Sequence, residues 1–130
     1  MNEIRARIET LKNRKLGMYR KDFLLTWEKT SDEIEVVFDA ADILRALRQN
    51  GLSPRVWDSG IAVSNFRDNS TRTRFSYSSA CDLLGLYVQD LDEGKSQIAH
   101  GETVRETANM ISFMAEAIGI RDDMYIGKGN

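Results

Sequence analysis

Apolar and polar positions alternate with two different periods along this chain. From Thr30 to about Asn50 the apolar residues Ile34, Val37, Ala41 and Leu44 recur at three- and four-residue intervals, with Phe38 beside them. That spacing predicts a helix that buries this stripe. Thr30-Ser31-Asp32-Glu33 has capping-box spacing, in which Thr30 and Glu33 satisfy each other's free amides, so the helix is expected to begin there. Asn50-Gly51 ends it, and Pro54 discourages a restart.

Beyond Pro54 the period shortens. Ile61-Ala62-Val63-Ser64-Asn65-Phe66 is a brief, mostly apolar, β-branched run of strand length. From Ser70 the helical period returns, with Tyr77, Ala80, Cys81 and Leu84 on one face and Gly85 as the stop. Leu86-Tyr87-Val88-Gln89 reads as a second strand, followed by a long loop from Asp90 to Gly101. Thr103-Val104-Arg105-Glu106 repeats the capping-box spacing and opens a helix whose expected buried stripe is Val104, Ala108, Ile111 and Ala115. Ala117-Ile118-Gly119-Ile120 closes as a third strand. The order strand, helix, strand, helix, strand implies right-handed crossovers and a parallel sheet, hence an α/β fold. Ligands of such sheets bind outside the carboxyl ends of the strands, which directs attention to residues 67–73, 92–101 and 121 onward.

At 130 residues the chain is long enough for one hydrophobic core, and one domain is expected. No apolar run approaches membrane-spanning length, and the polar start has no secretion-signal core, so a soluble, cytoplasmic protein is expected. A net charge of -2 argues against a general nucleic-acid binder. One cysteine and one histidine are too few for a zinc site, and Cys81, set among apolar residues, reads as a small buried hydrophobe. The Lys and Arg residues scattered from Arg5 to Lys21 read as a solvated helical face. Trp27, Trp57 and Tyr125 lack interleaved basic residues, so packing or surface cover is expected of them rather than base stacking, and the methionines are expected to pack as well.

The chemistry concentrates in Phe66-Arg67-Asp68-Asn69-Ser70-Thr71-Arg72-Thr73-Arg74, which joins a strand to a helix start. Free backbone amides and the positive end of the helix dipole attract an anion there, and Ser70, Thr71 and Thr73 add hydroxyl donors. Arg72 adds a planar fork suited to two phosphate oxygens. Composition alone leaves open a second reading, in which Ser70 merely caps the helix and the arginines face water.

The string itself favours the anion site. Ser-Thr-Arg-Thr-Arg, four residues after a phenylalanine, resembles the carbamoyl-phosphate signature of the aspartate and ornithine carbamoyltransferase family. Ser96-Gln97-Ile98-Ala99-His100-Gly101-Glu102-Thr103 resembles the ornithine-type loop that reaches the phosphate of a neighbouring subunit. Arg121, at the end of the last strand, matches the family arginine that contacts both the carbonyl oxygen and the phosphate. The likeness runs from about Lys21 to the end. The run from Asp90 to Gly101, with Arg121-Asp122-Asp123-Met124-Tyr125, suggests the knotted, YgeW-type branch.

The resemblance implies a three-layer αβα carbamoyl-phosphate-binding domain over residues 1–130, with residues 1–20 as a helical extension. It implies transfer of a carbamoyl group from carbamoyl phosphate to an amine or amino acid, with no metal or organic cofactor. Ser70, Thr71, Arg72 and Thr73 would hold the phosphate, Arg72 would neutralise the departing charge, and Thr73 and Arg121 would donate to the carbonyl oxygen. Gln97 would arrive from a second subunit of a homotrimer. The family's His-Pro-x-Gln segment and amine-binding domain are absent from these 130 residues, so His100 is expected to orient or to be solvated rather than to act as a base. The sequence departs from the family at Asp68, where a longer side chain, typically glutamate, is usual. The competing expectations are a catalytically silent anion-binding or assembly module, and an unrelated α/β domain with a capped helix and a basic loop.

Overall fold

The computed structural model describes residues 2–14, 16–67, 70–95 and 97–122. The chain divides at Pro54 into two compact units. The first holds α1 (Asn2–Lys12), a short 3-10 turn and α2 (Ser31–Gln49). Both halves of the predicted capping box form: the Glu33 amide donates to Thr30 Oγ1 at 3.2 Å and the Thr30 amide to Glu33 Oε2 at 3.0 Å. At the other end Gly51 adopts the left-handed conformation, φ 70°. Leu52 N–H then reaches the Leu47 carbonyl and Gly51 N–H the Arg48 carbonyl, which satisfies two carbonyls the helix would otherwise leave open.

The phase of α2 differs from expectation. Val36 and Ile43 are its buried residues, together with Ile4 of α1, whereas Val37 and Phe38 are exposed. Apolar residues surround much of this helix, so periodicity alone supports more than one stripe. Ion pairs from the amino-terminal segment select one side. Arg14 Nε contacts Asp39 Oδ2 at 2.8 Å, Arg14 Nη1 contacts Asp32 Oδ1 at 3.2 Å, and Arg7 lies 3.5 Å from Asp42. Arg7 and Arg14 are therefore not simply solvated. The exposed pairs among these add little stability, while the half-buried Arg14–Asp39 pair ties the segment to one side of α2. Trp27 is 79% exposed and is not part of the core formed by the described residues.

The second unit is a three-stranded parallel sheet in the order β2-β1-β3, built from β1 (Ile61–Phe66), β2 (Tyr87–Asp90) and β3 (Ala117–Arg121). α3 (Thr71–Leu84) links β1 to β2, and α4 (Val104–Met114) links β2 to β3. The first connection moves to one side of β1 and the second returns across it. Two right-handed crossovers running in opposite directions place their helices on opposite faces, giving three αβα layers. The contacts agree. On one face Ala62, Val88 and Ala117 pack with Cys81, Tyr77 and Leu86. On the other, Ile61, Val63 and Leu91 line a cavity with Met110, Ile111 and Met114. This period-two division is what a strand covered on both sides requires.

Gly85 stops α3 at φ 102°, with Leu86 N–H donating to the Cys81 carbonyl and Leu86 itself buried. α4 is capped by Thr103 and Glu106 as predicted, but its inward residue is Thr107 rather than Val104, which is 65% exposed. Ala80 of α3 and Ala108 of α4 are likewise exposed. Thr107 can turn inward because its hydroxyl donates to Glu102 Oε2 at 2.8 Å, so no polar group is left unsatisfied.

Tyr77 joins α3 to the sheet. Its hydroxyl donates to the Val63 carbonyl at 3.0 Å, and its ring meets Phe66 edge to face at 5.3 Å. Gly119 makes room for that ring, since a Cβ there would lie 2.6 Å from it. Burial, with the nearby Cys81 thiol, pushes the phenol up to about 12. The folded protein therefore holds this proton more tightly than the unfolded chain, whose phenol titrates near 10. The contribution is complete below pH ~10 and is lost as pH rises toward 12. Tyr77→Phe is expected to cost about 1 kcal/mol at neutral pH through the lost hydrogen bond, and to reduce the decline in stability between those two pH values. Urea unfolding at a series of pH values checks both effects.

Candidate functional site

The sheet register decides what meets at its carboxyl edge. Phe66, the last residue of β1, pairs with Arg121, the last of β3, and Arg67 N–H continues the ladder by donating to the Arg121 carbonyl at 3.1 Å. Between these two strands the chain reverses its direction of winding, which opens a crevice beside the start of α3. Ser70 caps that helix from an extended backbone conformation. Its Oγ accepts from the Thr73 amide at 3.4 Å and lies 2.9 Å from Thr73 Oγ1. Arg121 Nη1 donates to Ser70 Oγ at 2.8 Å and to Thr73 Oγ1 as well. Residues 51 positions apart in the sequence thus form one polar cluster.

This helix start differs from those of α2 and α4. Glu33 and Glu106 each place a carboxylate on the first turn of their helices, and each is held below the usual carboxylate range, first by its hydrogen bond from the cap backbone. α3 has no acidic residue in its first turn. Its third helical position is Thr73 and its second is Arg72, so the positive end of the dipole carries added positive charge. The cap bond to the Thr73 amide is long, at 3.4 Å. An anion is the complement of such a terminus.

The three arginines of the segment and Arg121 have separate roles. Arg74 donates to Asp90 Oδ1 at 2.9 Å and to the Phe66 carbonyl, and Ser64 Oγ donates to the same Asp90 oxygen at 2.6 Å. It thereby ties α3 to the end of β2. Arg67 pairs with Glu93 and Asp122, each at 2.8 Å. The hydrogen bond from Arg67 is the main cause holding the Glu93 carboxyl below the usual range, and the carboxylates raise the guanidinium in turn. Arg121 joins the hydroxyl cluster. Arg72 is exposed, and its side chain, like that of Thr71 beside it, makes no hydrogen bond or ion pair with any described residue. Of the residues named from the sequence, Ser70, Thr73 and Arg121 are brought together by direct bonds. Thr71 and Arg72 sit beside them on the first turn.

Gln97 is elsewhere. It begins a short 3-10 turn, Gln97–His100, and lines the cavity of about 390 Å³ between the sheet and α4, with no bond to Ser70, Thr73 or Arg121 among the described residues. His100 is exposed. Asp68, Ser96 and Tyr125 lie outside the described residues. The sequence reading passed over Arg67, Arg74, Asp90 and Glu93, which line a cleft of about 550 Å³ at the ends of β1 and β2. Their signal was present in part, because arginines and acids that follow parallel strands are neighbours in space. Pairing them required the register.

Residues 21–128 match the family described as aspartate/ornithine carbamoyltransferase, carbamoyl-P binding domain. The chain belongs to this family. It is 62% identical over all 130 residues to "Putative carbamoyltransferase YgeW" of Escherichia coli (strain K12), covering 33% of that protein. It is 35% identical over 107 residues to ornithine carbamoyltransferase of Carboxydothermus hydrogenoformans, covering 82% of this chain and 34% of the relative. Among solved structures, the catalytic subunit of M. Jannaschii aspartate transcarbamoylase superposes with a TM-score of 0.65 at 28% identity, over 76% of this chain and 33% of that one. The chain thus spans about a third of the length of these carbamoyltransferase-family proteins. The αβα fold expected from that family is the one observed.

The different states of Ser70 and Arg72 separate structural from ligand roles. Ser70→Ala is expected to destabilise the protein by about 1 kcal/mol through the lost cap. Arg72→Ala, at an exposed position with no side-chain partner among the described residues, should change stability by no more than about 0.5 kcal/mol. Thermal unfolding of the two variants in phosphate-free buffer tests the distinction.

Proposed function

We propose that this chain is the carbamoyl-phosphate-binding half of a carbamoyltransferase of the knotted, YgeW-type branch. The observation that carries the reading is the meeting of Arg121 with Ser70 and Thr73 at the start of α3, beside Arg72, which pairs with no acid among the described residues. It occurs in a chain whose residues 21–128 match a carbamoyl-phosphate-binding domain. The identity to "Putative carbamoyltransferase YgeW" supports the branch.

In this reading residues 1–130 form the carbamoyl-phosphate-binding domain, with residues 1–20 as its helical extension, and the acceptor amine or amino acid is held by a second domain outside them. Ser70, Thr71, Arg72 and Thr73 hold the phosphate through hydroxyls, backbone amides and one guanidinium. The amine lone pair attacks the carbonyl carbon, and negative charge develops on the carbonyl oxygen, where Thr73 and Arg121 donate. The carbon–oxygen bond to phosphate then breaks, phosphate leaves with the bonding electrons, and the amine loses a proton. Arg72 stabilises the charge on the departing phosphate. Ser70, Thr73 and Arg121 hold one another in place before the reaction, which is the condition under which electrostatic stabilisation is largest. Gln97, which lies apart from this cluster within its own chain, completes the site of a neighbouring subunit in a homotrimer. The reaction needs no metal or organic cofactor, and its setting is the cytoplasm. Among the described residues no helix is long and apolar enough to cross a membrane.

Calorimetric titration with carbamoyl phosphate is expected to show saturable binding that Arg72→Ala weakens by roughly ten- to a hundredfold, the range for loss of a charged hydrogen-bonding group. Equal affinity in the two proteins would remove Arg72 from the site. The longer protein carrying this domain should then transfer carbamoyl groups to a member of a panel of amino acids and diamines. Binding without transfer to any of them would favour a silent anion-binding module.

A further inference from the structure

One guanidinium joins the loops that follow all three strands. Arg67 donates from Nε and Nη2 to Glu93 Oε1 at 3.1 and 2.8 Å, and from Nη2 to Glu93 Oε2 at 3.0 Å. Its Nη1 donates to Asp122 Oδ2 at 2.8 Å. Asn65 Nδ2 adds a bond to the same Glu93 oxygen at 3.2 Å. Arg67 follows β1, Glu93 lies beyond β2, and Asp122 follows β3.

Alternation along extended backbone gives this contact its leverage. Successive side chains leave a strand on opposite faces. Phe66 and its register partner Arg121 turn toward α3, where Phe66 meets Tyr77 and Arg121 meets Ser70 and Thr73. Arg67 and Asp122, one position further on, meet each other instead. Holding Asp122 on one side therefore fixes the adjoining backbone from which Arg121 reaches the other.

Charge adds a second consequence. Glu93 and Asp122 place two carboxylates at the edge of a site built for a dianion. Left unpaired, they would repel that ligand and compete for the Arg121 guanidinium. A planar fork with donors on several edges can engage both at once, which an ammonium group cannot do with the same geometry.

We propose that Arg67 is a positioning residue, which by gripping Glu93 and Asp122 keeps the Arg121 guanidinium on Ser70 and Thr73 and available to the anion. The ligand in this statement rests on the function proposed above, and the placement of Arg121 does not.

The test combines a binding cycle with a spectroscopic readout on the full chain. Carbamoyl phosphate is titrated into wild type, Arg67→Ala, Arg121→Ala and the double variant. Arg67→Ala is expected to weaken binding about tenfold in the wild-type background and less than about twofold when Arg121 is already absent, because a residue acting through another shows such coupling. In nitrogen-edited NMR spectra the guanidinium protons of Arg121, assigned by their disappearance in Arg121→Lys, should be resolved in wild type and averaged in Arg67→Ala. Independent losses that multiply in the double variant, or an Arg121 signal untouched by Arg67→Ala, would overturn the proposal. If wild type binds no carbamoyl phosphate, the ligand assignment fails and the NMR signal alone decides the role of Arg67. Should Arg67→Ala not fold, Arg67→Lys, which keeps the charge and loses the fork, is judged by the same criteria.

Discussion

The pairing of Phe66 with Arg121 is the constraint on which the site depends. Parallel strands cannot be neighbours in sequence, so this contact spans 55 residues and forms only after two crossovers have been completed. It ends both strands at the same level, beside the start of α3. A slip of one residue would send Arg121 to the opposite face of the sheet and bring Asp122 to the helix terminus in its place. An acid there would repel the anion that an arginine attracts. The fit of Tyr77 against Gly119, two residues before Arg121, discourages such a slip, because any residue with a Cβ at that position would collide with the ring.

Local signals were legible in the sequence wherever the interaction itself was local. The capping boxes at Thr30 and Thr103, the stops at Gly51 and Gly85, and the limits of β1 join residues no more than a turn apart, and each is found where its residue pattern places it. Helix phase was less legible. Val37 and Val104 are as apolar as the residues that are buried, and the contacts that accompany their outward turn are polar: ion pairs from Arg7 and Arg14 in one unit, and in the other the Glu102 carboxylate that satisfies Thr107 five residues on. In both helices a polar contact settled an orientation that hydrophobic periodicity had left ambiguous.

The site divides along the same line. Ser70 and Thr73 could be read from the string because a helix cap is a local object. That Arg121 would join them followed from a family resemblance and from its place at a strand end. Nothing in the nine residues from Phe66 to Arg74 distinguishes an arginine that binds protein from one left for a ligand. The distinction comes from Asp90, Glu93 and Asp122, on two other loops. Two of the segment's three arginines are held by these acids, and Arg72 pairs with no acid among the described residues.

Leaving a helix end in that condition opposes stability. α2 and α4 show that this chain can close a terminus with a carboxylate and a reciprocal hydrogen bond, an arrangement favourable by itself and by its match to the dipole. A glutamate at position 73 would supply the same closure to α3. It would also place a negative charge among the hydroxyls that Arg121 now reaches, and capture that guanidinium in an internal ion pair. The open terminus is thus a local conflict between the best cap and an available cation, of the kind expected where function outweighs local stability. Ser70 and Thr73 resolve it by donating and accepting without charge, so the helix is capped and Arg121 is held with no acid on the first turn.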